Sequence, residues 1–382
     1  MKNLLNLLLA LIASLNSFGQ RTVPACEIDI NYNDNFSGFD LINLTDSQVF
    51  IIAEDFHNRR LAPAMTLKFI QFLYQREKIR TIAIEGGIST AFLLNSYLES
   101  GDTTLLRDIA RHTFFWSKEH FVYYQALAAW NNTLPSDQRI VFESADIEIK
   151  QESVILALNM ILSNRSIPVT ISKLESFKTI FKEKESHRKQ YLGLNVQYYY
   201  DKKRCSTLVD EVLADFKLNE GAYKTFFNEK YNFFKTMMTD LKAQYIFDYH
   251  TNSKFMYRDN IMFDKLVAIA KRHPEGFLQV VGAKHTRPGS SSFRLKHEDG
   301  SPAKDHVLIM NLTGRKTNGK YLGAKAVTRF AAQYSDLFKP GKNMIIENDG
   351  SNELLDNSNF DYTLALMDND HVSPFSNSYW GK

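Results

Sequence analysis

The strongest constraint on how this chain folds is a series of short, almost unbroken apolar runs that stop abruptly at polar residues. Val49–Ala53, Thr81–Glu85, Ile140–Glu143, Phe277–Gly282, Val307–Asn311 and Met344–Glu347 are dominated by β-branched and other apolar residues. A strand with one face in water alternates apolar and polar side chains, whereas a strand covered on both faces reads as continuously apolar. The pattern predicts an α/β fold with a largely parallel central sheet flanked by helices. Between the first two runs, residues 63–77 place Met65, Phe69, Phe72 and Leu73 along one helical stripe, with Pro63 in the first turn, where its missing N–H costs nothing. Strand, helix and strand in that order make a βαβ unit. A second helix is expected over Ser89–Glu99, capped by Ser89 or Thr90.

From residue 148 to 263 the strand signal nearly vanishes. Lysine, glutamate and aromatic residues recur at helical spacing, as in Tyr223-Lys224-Thr225-Phe226-Phe227 and Phe233-Phe234-Lys235-Thr236-Met237. This predicts a helical insertion of about four or five helices between two parts of one α/β domain, residues 20–147 and 264–382. Aromatic stripes of this kind, and the run Tyr198-Tyr199-Tyr200, are expected to pack in the core or line a cleft. Residues 286–304, rich in Gly, Ser, Pro and charge, read as a long mobile loop.

Ahead of the domain, residues 1–19 combine Lys2, the apolar stretch Leu4–Leu15 and the small residue Gly19, the parts of a secretory signal peptide. That stretch falls short of the ~20 residues that span a bilayer, so the expectation is a secreted or periplasmic protein with no transmembrane segment after signal removal. Cys26 and Cys205 allow at most one disulfide, too few to build a fold on. A formal charge of +3 is near balance and gives no basic face for nucleic acid.

In open parallel sheets, ligands bind outside the carboxyl ends of the strands. The predicted strand ends carry Glu54 and His57, then Glu85, then Glu143 and Asp146, then His285. Burying an ionised carboxylate without a partner is costly, so such endings call for a counter-group or a ligand. The runs Val49–Ala53 and Leu278–Val281 also echo each other, each leading to a histidine shortly after the strand. Imidazoles and carboxylates meeting at one sheet edge suit general-base activation of water, the carboxylate fixing the tautomer of the histidine. The same set would also hold a divalent metal through nitrogen and oxygen ligands. Arg258, near the start of a helix with Met262, Leu266 and Ile269 on one face, is placed to bind a carboxylate or an oxyanion; a surface ion pair with Asp259 or Asp264 is the alternative. The segment from His112 through Trp116 to Glu119 and His120 is an aromatic patch of the sort that lines a substrate cleft. His187, His273 and His297 sit in polar context and are expected at the surface.

Taken together, these residues resemble the erythromycin-esterase-like family. Ile51-Ile52-Ala53-Glu54-Asp55-Phe56-His57 is similar to the Gly-Glu-x-x-His motif of that family, with Ala53 where the family has glycine. The similarity continues through Thr81–Glu85, Trp116 with Glu119, Tyr257-Arg258-Asp259-Asn260-Ile261-Met262, Gly282-Ala283-Lys284-His285, and a closing strand near Phe360–Met367. The resemblance implies a mixed α/β fold and a cleft in which His57 activates water against an ester. Glu54 and Glu85 would be its supporting carboxylates, His285 a second essential imidazole, and Arg258, Trp116 and Glu119 substrate-side residues, with no cofactor. More distant relatives with a small-x-x-His pair, secreted metallopeptidases and haem-binding lipoproteins, leave two other readings open. One is a metal-dependent hydrolase or peptidase with Glu54, His57, Glu85 and His285 as ligands. The other is a binding protein, without turnover, for haem or a cell-envelope ligand. The first reading implies a small-molecule substrate.

Overall fold

The computed structural model describes residues 24–31, 35–55, 57, 59–112, 117–163, 165–182, 188–191, 194–198, 202–249, 254–315, 321–322, 342–348 and 360–367. Strand β1 (Ala25–Ile28) leads to β2 (Val49–Glu54), helix α1 (Ala62–Glu77), β3 (Thr81–Ile84), α2 (Ile88–Ser100), α3 (Thr103–His112), α4 (Lys118–Asn131) and β4 (Val141–Ser144). Next come α5 (Gln151–Leu162), α6 (Lys173–Lys182), a hairpin of β5 (Arg188–Tyr191) and β6 (Leu194–Tyr198), then α7 (Lys202–Leu218), α8 (Glu220–Phe227), α9 (Tyr231–Tyr249) and α10 (Lys254–Arg272). The chain closes with β7 (Phe277–Gly282), α11 (Ser291–His297), β8 (Val307–Arg315), β9 (Tyr321–Leu322), β10 (Asn343–Glu347) and β11 (Tyr362–Leu366).

The main sheet runs β1-β10-β11-β8-β2-β7-β3-β4, with β9 paired to β8. From β11 to β4 every neighbouring pair is parallel; β1, β10 and β9 join antiparallel. The fold is therefore mixed α/β around a mostly parallel sheet. Both faces are covered, which is why the strands read as apolar throughout. Phe50, Ile52, Ile82, Leu278 and Met310 point to one side, into a buried cluster shared with α1, α2 and α4. Val49, Ile51, Ala53, Ala83, Val281 and Ile309 point to the other, against Met262, Leu266 and Ile269 of α10. The methyl of Ala53 is absorbed in that second cluster. Strand β7, although distant in sequence, lies between β2 and β3.

Several expectations need correction. The segment between β4 and β7 contains a β-hairpin as well as helices, and Val154, Leu174 and Phe234 from its helices join the same buried cluster as the sheet. Residues 286–304 are not one long loop: a 3-10 turn spans Ala283–Thr286 and α11 follows. Helix α11 forms there because Ser291 N–H donates to the Asp259 carboxylate at 2.9 Å, satisfying an amide that has no partner in its own first turn. Helix α2 is preceded by Gly87 rather than capped by Ser89 or Thr90; the buried Glu148 carboxylate takes the Ser89 N–H at 2.7 Å and the Ser89 hydroxyl at 2.5 Å. A Cβ on Gly87 would lie 2.1 Å from Glu148 Oε2, so this turn requires glycine. His273 is not solvated at the surface. It contacts Glu143 at 2.5 Å, and Arg272 pairs with the same carboxylate, which takes Glu143 into a separate cluster. Cys26 and Cys205 are not joined to each other. Among the described residues no helix is long and apolar enough to cross a membrane.

The exposed edge of β4 is closed by asparagine side chains in place of a further strand. Asn131 accepts from Ile140 N–H at 2.7 Å and donates to Ile140 O at 3.4 Å. Asn95 accepts from Phe142 N–H at 2.8 Å and donates to Phe142 O at 2.9 Å. Each carboxamide reproduces the paired donor and acceptor of a neighbouring strand, and so blocks edge-to-edge association. Replacing Asn131 by alanine should cost about 1–3 kcal/mol in urea denaturation, because it orphans buried backbone groups of Ile140. An unchanged midpoint would remove the energetic part of this account.

Candidate active site

The parallel register of β2, β7 and β3 brings their carboxyl ends side by side, and with them Glu54 and His57, Gly282 and His285, and Glu85. Helix α10 supplies the remaining groups. Arg258 and Asp259 lie four and three residues before Met262, on the face that packs against the sheet, so both side chains reach over the strand ends.

Glu85 is the point of convergence. One carboxylate oxygen accepts the Gly282 N–H at 2.7 Å. The other lies 2.7 Å from an Arg258 guanidinium nitrogen and 3.3 Å from His285 Nε2. Burial alone would push Glu85 up, but the His285 hydrogen bond and the charges of His57, Arg258 and His285 outweigh it, holding this carboxyl far below the usual range. Arg258 is itself held by Asp146, with Nε 3.0 and 3.1 Å from the two carboxylate oxygens and a guanidinium NH2 on one of them. Asp146 is fully buried and takes a further bond from the Ile147 N–H. Arg258 thus meets these carboxylates rather than a surface partner.

The two strand-end histidines differ sharply. His285 is 3% exposed, with Nδ1 2.9 Å from Asp259 Oδ1 and Phe255 stacked on its ring at 4.9 Å between centroids. Burial disfavours its charge, yet the bonds to Asp259 and Glu85 prevail and push its pKa up to about 9. It is an imidazolium locked between two carboxylates. His57 is 27% exposed and opens on the cleft. Its Nδ1 is 2.8 Å from Glu54 Oε2, and its Nε2 stands 3.6 Å from Glu85 Oε2, beyond hydrogen-bond reach. Burial lowers the pKa of His57, but the hydrogen bond and charge of Glu54, with the charge of Glu85, leave it raised. A carboxylate on Nδ1 selects the tautomer whose Nε2 is the basic atom, and the ring borders the cleft. Gly282 keeps the ring in place: a Cβ there would sit 2.9 Å from His57 Nε2.

The cleft beyond His57 is bordered by Glu54, Glu85, His120, Tyr123 and Tyr124. His120 contacts the Ser117 hydroxyl at 2.9 Å through Nδ1, and burial pushes its pKa down to about 4, so it is neutral at pH 7. Tyr124 is raised above the usual phenol range, first by burial and then by the charge of Glu54, so it keeps its proton. Of the residues expected from sequence, Glu54, His57, Glu85, His285 and Arg258 come together. Glu119 lies on α4 and does not line this cleft. Trp116 lies outside the described residues. Asp146 was among the strand-end carboxylates, Asp259 was visible in sequence only as the neighbour of Arg258, and nothing marked Tyr124. Among the described residues no group of three or more His, Cys, Asp or Glu side chains is arranged to hold a metal ion. Both oxygens of Glu85 already face donors, two of them cationic, which leaves little attraction for a further cation there.

The sequence matches no protein-family model and no curated protein. Solved structures with the same fold are nonetheless found along most of the chain. A histidine-to-asparagine variant of the erythromycin esterase EreC, in its open conformation, superposes with a TM-score of 0.64 at 9% identity, covering 92% of this chain and 99% of that one. A succinoglycan biosynthesis protein matches with a TM-score of 0.61 at 11% identity, over 91% and 95% of the two chains. A Bacillus cereus protein does so at 0.60 and 12%, over 92% and 97%. The class is therefore that of α/β proteins with the erythromycin-esterase-like fold. At these identities the likeness concerns the fold.

The locked imidazolium links stability to pH. His285, raised from about 6.5 to about 9, contributes stability fully present below pH 6.5 and lost as pH climbs through 9. Thermal melts should show a loss on the order of 2–3 kcal/mol across that window, and the loss should flatten in His285→Gln. Arg258→Met strips Asp146 of its counter-charge and leaves Glu85 with His285 alone, and should cost about 3–5 kcal/mol at pH 7. Stability unaffected by Arg258→Met would show that these carboxylates do not need the guanidinium.

Proposed function

We propose that this chain is a hydrolase of an ester or similar acyl bond in a small-molecule substrate, with His57 as general base. The observation that carries the proposal is the Glu54–His57 pair, with Nδ1 tied to a carboxylate at 2.8 Å and the imidazole bordering the cleft. Water held at Nε2 gives up a proton as its oxygen attacks the acyl carbon. The resulting imidazolium, stabilised by Glu54, then returns the proton to the leaving oxygen, yielding acid and alcohol. Tyr124, which keeps its proton, borders the same cleft. Glu85, Arg258 and His285 act as the frame that holds Gly282 and the electrostatic setting of His57. The likeness of fold to EreC, an erythromycin esterase, supports this reading. The apolar run at residues 4–15 supports export, which would place the reaction outside the cytosol.

Against a panel of esters, His57→Ala should lower kcat/KM by about 10²–10⁴. Because the base must be neutral and its pKa is raised, kcat/KM of the wild type should climb with pH through a midpoint above about 6.5. Ester turnover by His57→Ala equal to that of wild type would end this proposal.

A further inference from the structure

Of the two imidazoles that line the cleft, the general-base step uses only His57. The other, His120, stands in the first turn of α4, where Ser117 caps the helix. The Ser117 hydroxyl oxygen accepts the His120 backbone N–H at 3.3 Å, and the same oxygen lies 2.9 Å from His120 Nδ1. Ser117 is fully buried, and among the described residues its hydroxyl has no other partner. A hydroxyl carries one proton and accepts through its lone pairs. With a lone pair already on the backbone amide, the proton finds its acceptor in an unprotonated Nδ1. The opposite arrangement, Nδ1–H on the oxygen, would leave a buried O–H without an acceptor, which folded proteins avoid. The ring proton therefore sits on Nε2. Because Nδ1 is turned back onto the cap of its own helix, the far edge of the ring belongs to the cleft. Nε2 has no hydrogen-bond partner among the described residues and is not sealed from solvent. Burial keeps this ring neutral, and the charges of Glu54 and His57 both act on it, in opposite senses. An imidazolium here would pair with Glu54; a neutral ring keeps its N–H for an oxygen on which charge is still to develop.

We infer that His120 is a second catalytic residue of the proposed hydrolysis, donating from Nε2–H to the acyl oxygen while His57 acts on water. The reaction is that of the hydrolase reading, on which this role rests; the donor is a property of the Ser117 cap alone. As the water oxygen bonds to the acyl carbon, its proton passes to His57 and the carbonyl electron pair moves onto the acyl oxygen. That oxyanion forms in a cleft bordered by the Glu54 and Glu85 carboxylates, and a fixed donor offsets their repulsion. His120 keeps its proton throughout. When the carbonyl reforms, the bond to the leaving oxygen breaks and His57 returns its proton there. Ser117 is the positioning residue: it selects the tautomer and touches no substrate.

Long-range nitrogen–proton NMR of the full chain reads the tautomer without any substrate. In wild type it should show the His120 proton on Nε2 and Nδ1 bare, and Ser117→Ala should mix the two forms. Against the ester panel, His120→Phe should lower kcat by about 10²–10³ with KM little changed. His120→Gln, which can present an amide N–H in place of the ring donor, should restore part of that loss. A proton found on Nδ1 of His120 in wild type would overturn the assignment of the donor. So would equal kcat in His120→Phe and wild type, a result that leaves His57 and the hydrolase reading intact. Wild-type protein that cleaves no ester, whatever the tautomer, would sink the hydrolase reading and the role of His120 with it.

Discussion

An ionised carboxylate buried at the end of β3 is the constraint around which this molecule is arranged. Alone, Glu85 would be too costly to keep charged. It is kept so by donors from three separate elements: the Gly282 amide of β7, Arg258 of α10, and His285 of the turn after β7. Those donors then need partners of their own. Asp146 after β4 answers Arg258, and Asp259 answers His285. The chain of charges ends on backbone amides, with Ile147 N–H on Asp146 and Ser291 N–H on Asp259. In this way one anion fixes the relative positions of three strand ends and a helix.

The same network explains how one residue type serves two purposes within a few ångströms. His285 has a carboxylate at each ring nitrogen and is closed off by Phe255, so it is a structural cation. His57 is hydrogen-bonded to Glu54 alone of these carboxylates, has Glu85 3.6 Å from its other nitrogen, and borders the cleft. The difference comes from the second partner, and the second partner is set by which neighbour each strand end faces.

Much of this was legible in the sequence, for a physical reason. Strands buried on both faces leave an unmistakable apolar pattern, and a parallel sheet gathers their ends, so Glu54, His57, Glu85 and His285 could be grouped before any contact was known. The edges of the pattern were less readable. Residues 286–304 look like a loop by composition, yet Asp259, far away in sequence, supplies the amide partner that lets α11 form. Glu148, beyond β4, takes the turn that follows Glu85 and leaves Glu85 to the site. Trp116 belongs to the part of the chain on which the described residues are silent.

The place of β7 between β2 and β3 has a consequence for how the molecule is made. The βαβ unit of β2, α1 and β3 is local, but its two strands cannot touch; the bond from Gly282 to Glu85 spans 197 residues of sequence. A nascent chain therefore exposes two unpaired strand edges until nearly three quarters of it has emerged, the condition under which slow, non-local closure competes with aggregation. The strand that joins β2 to β3 is also the one that completes the charge network around Glu85, so the closing of this gap in the sheet and the assembly of the site are a single event.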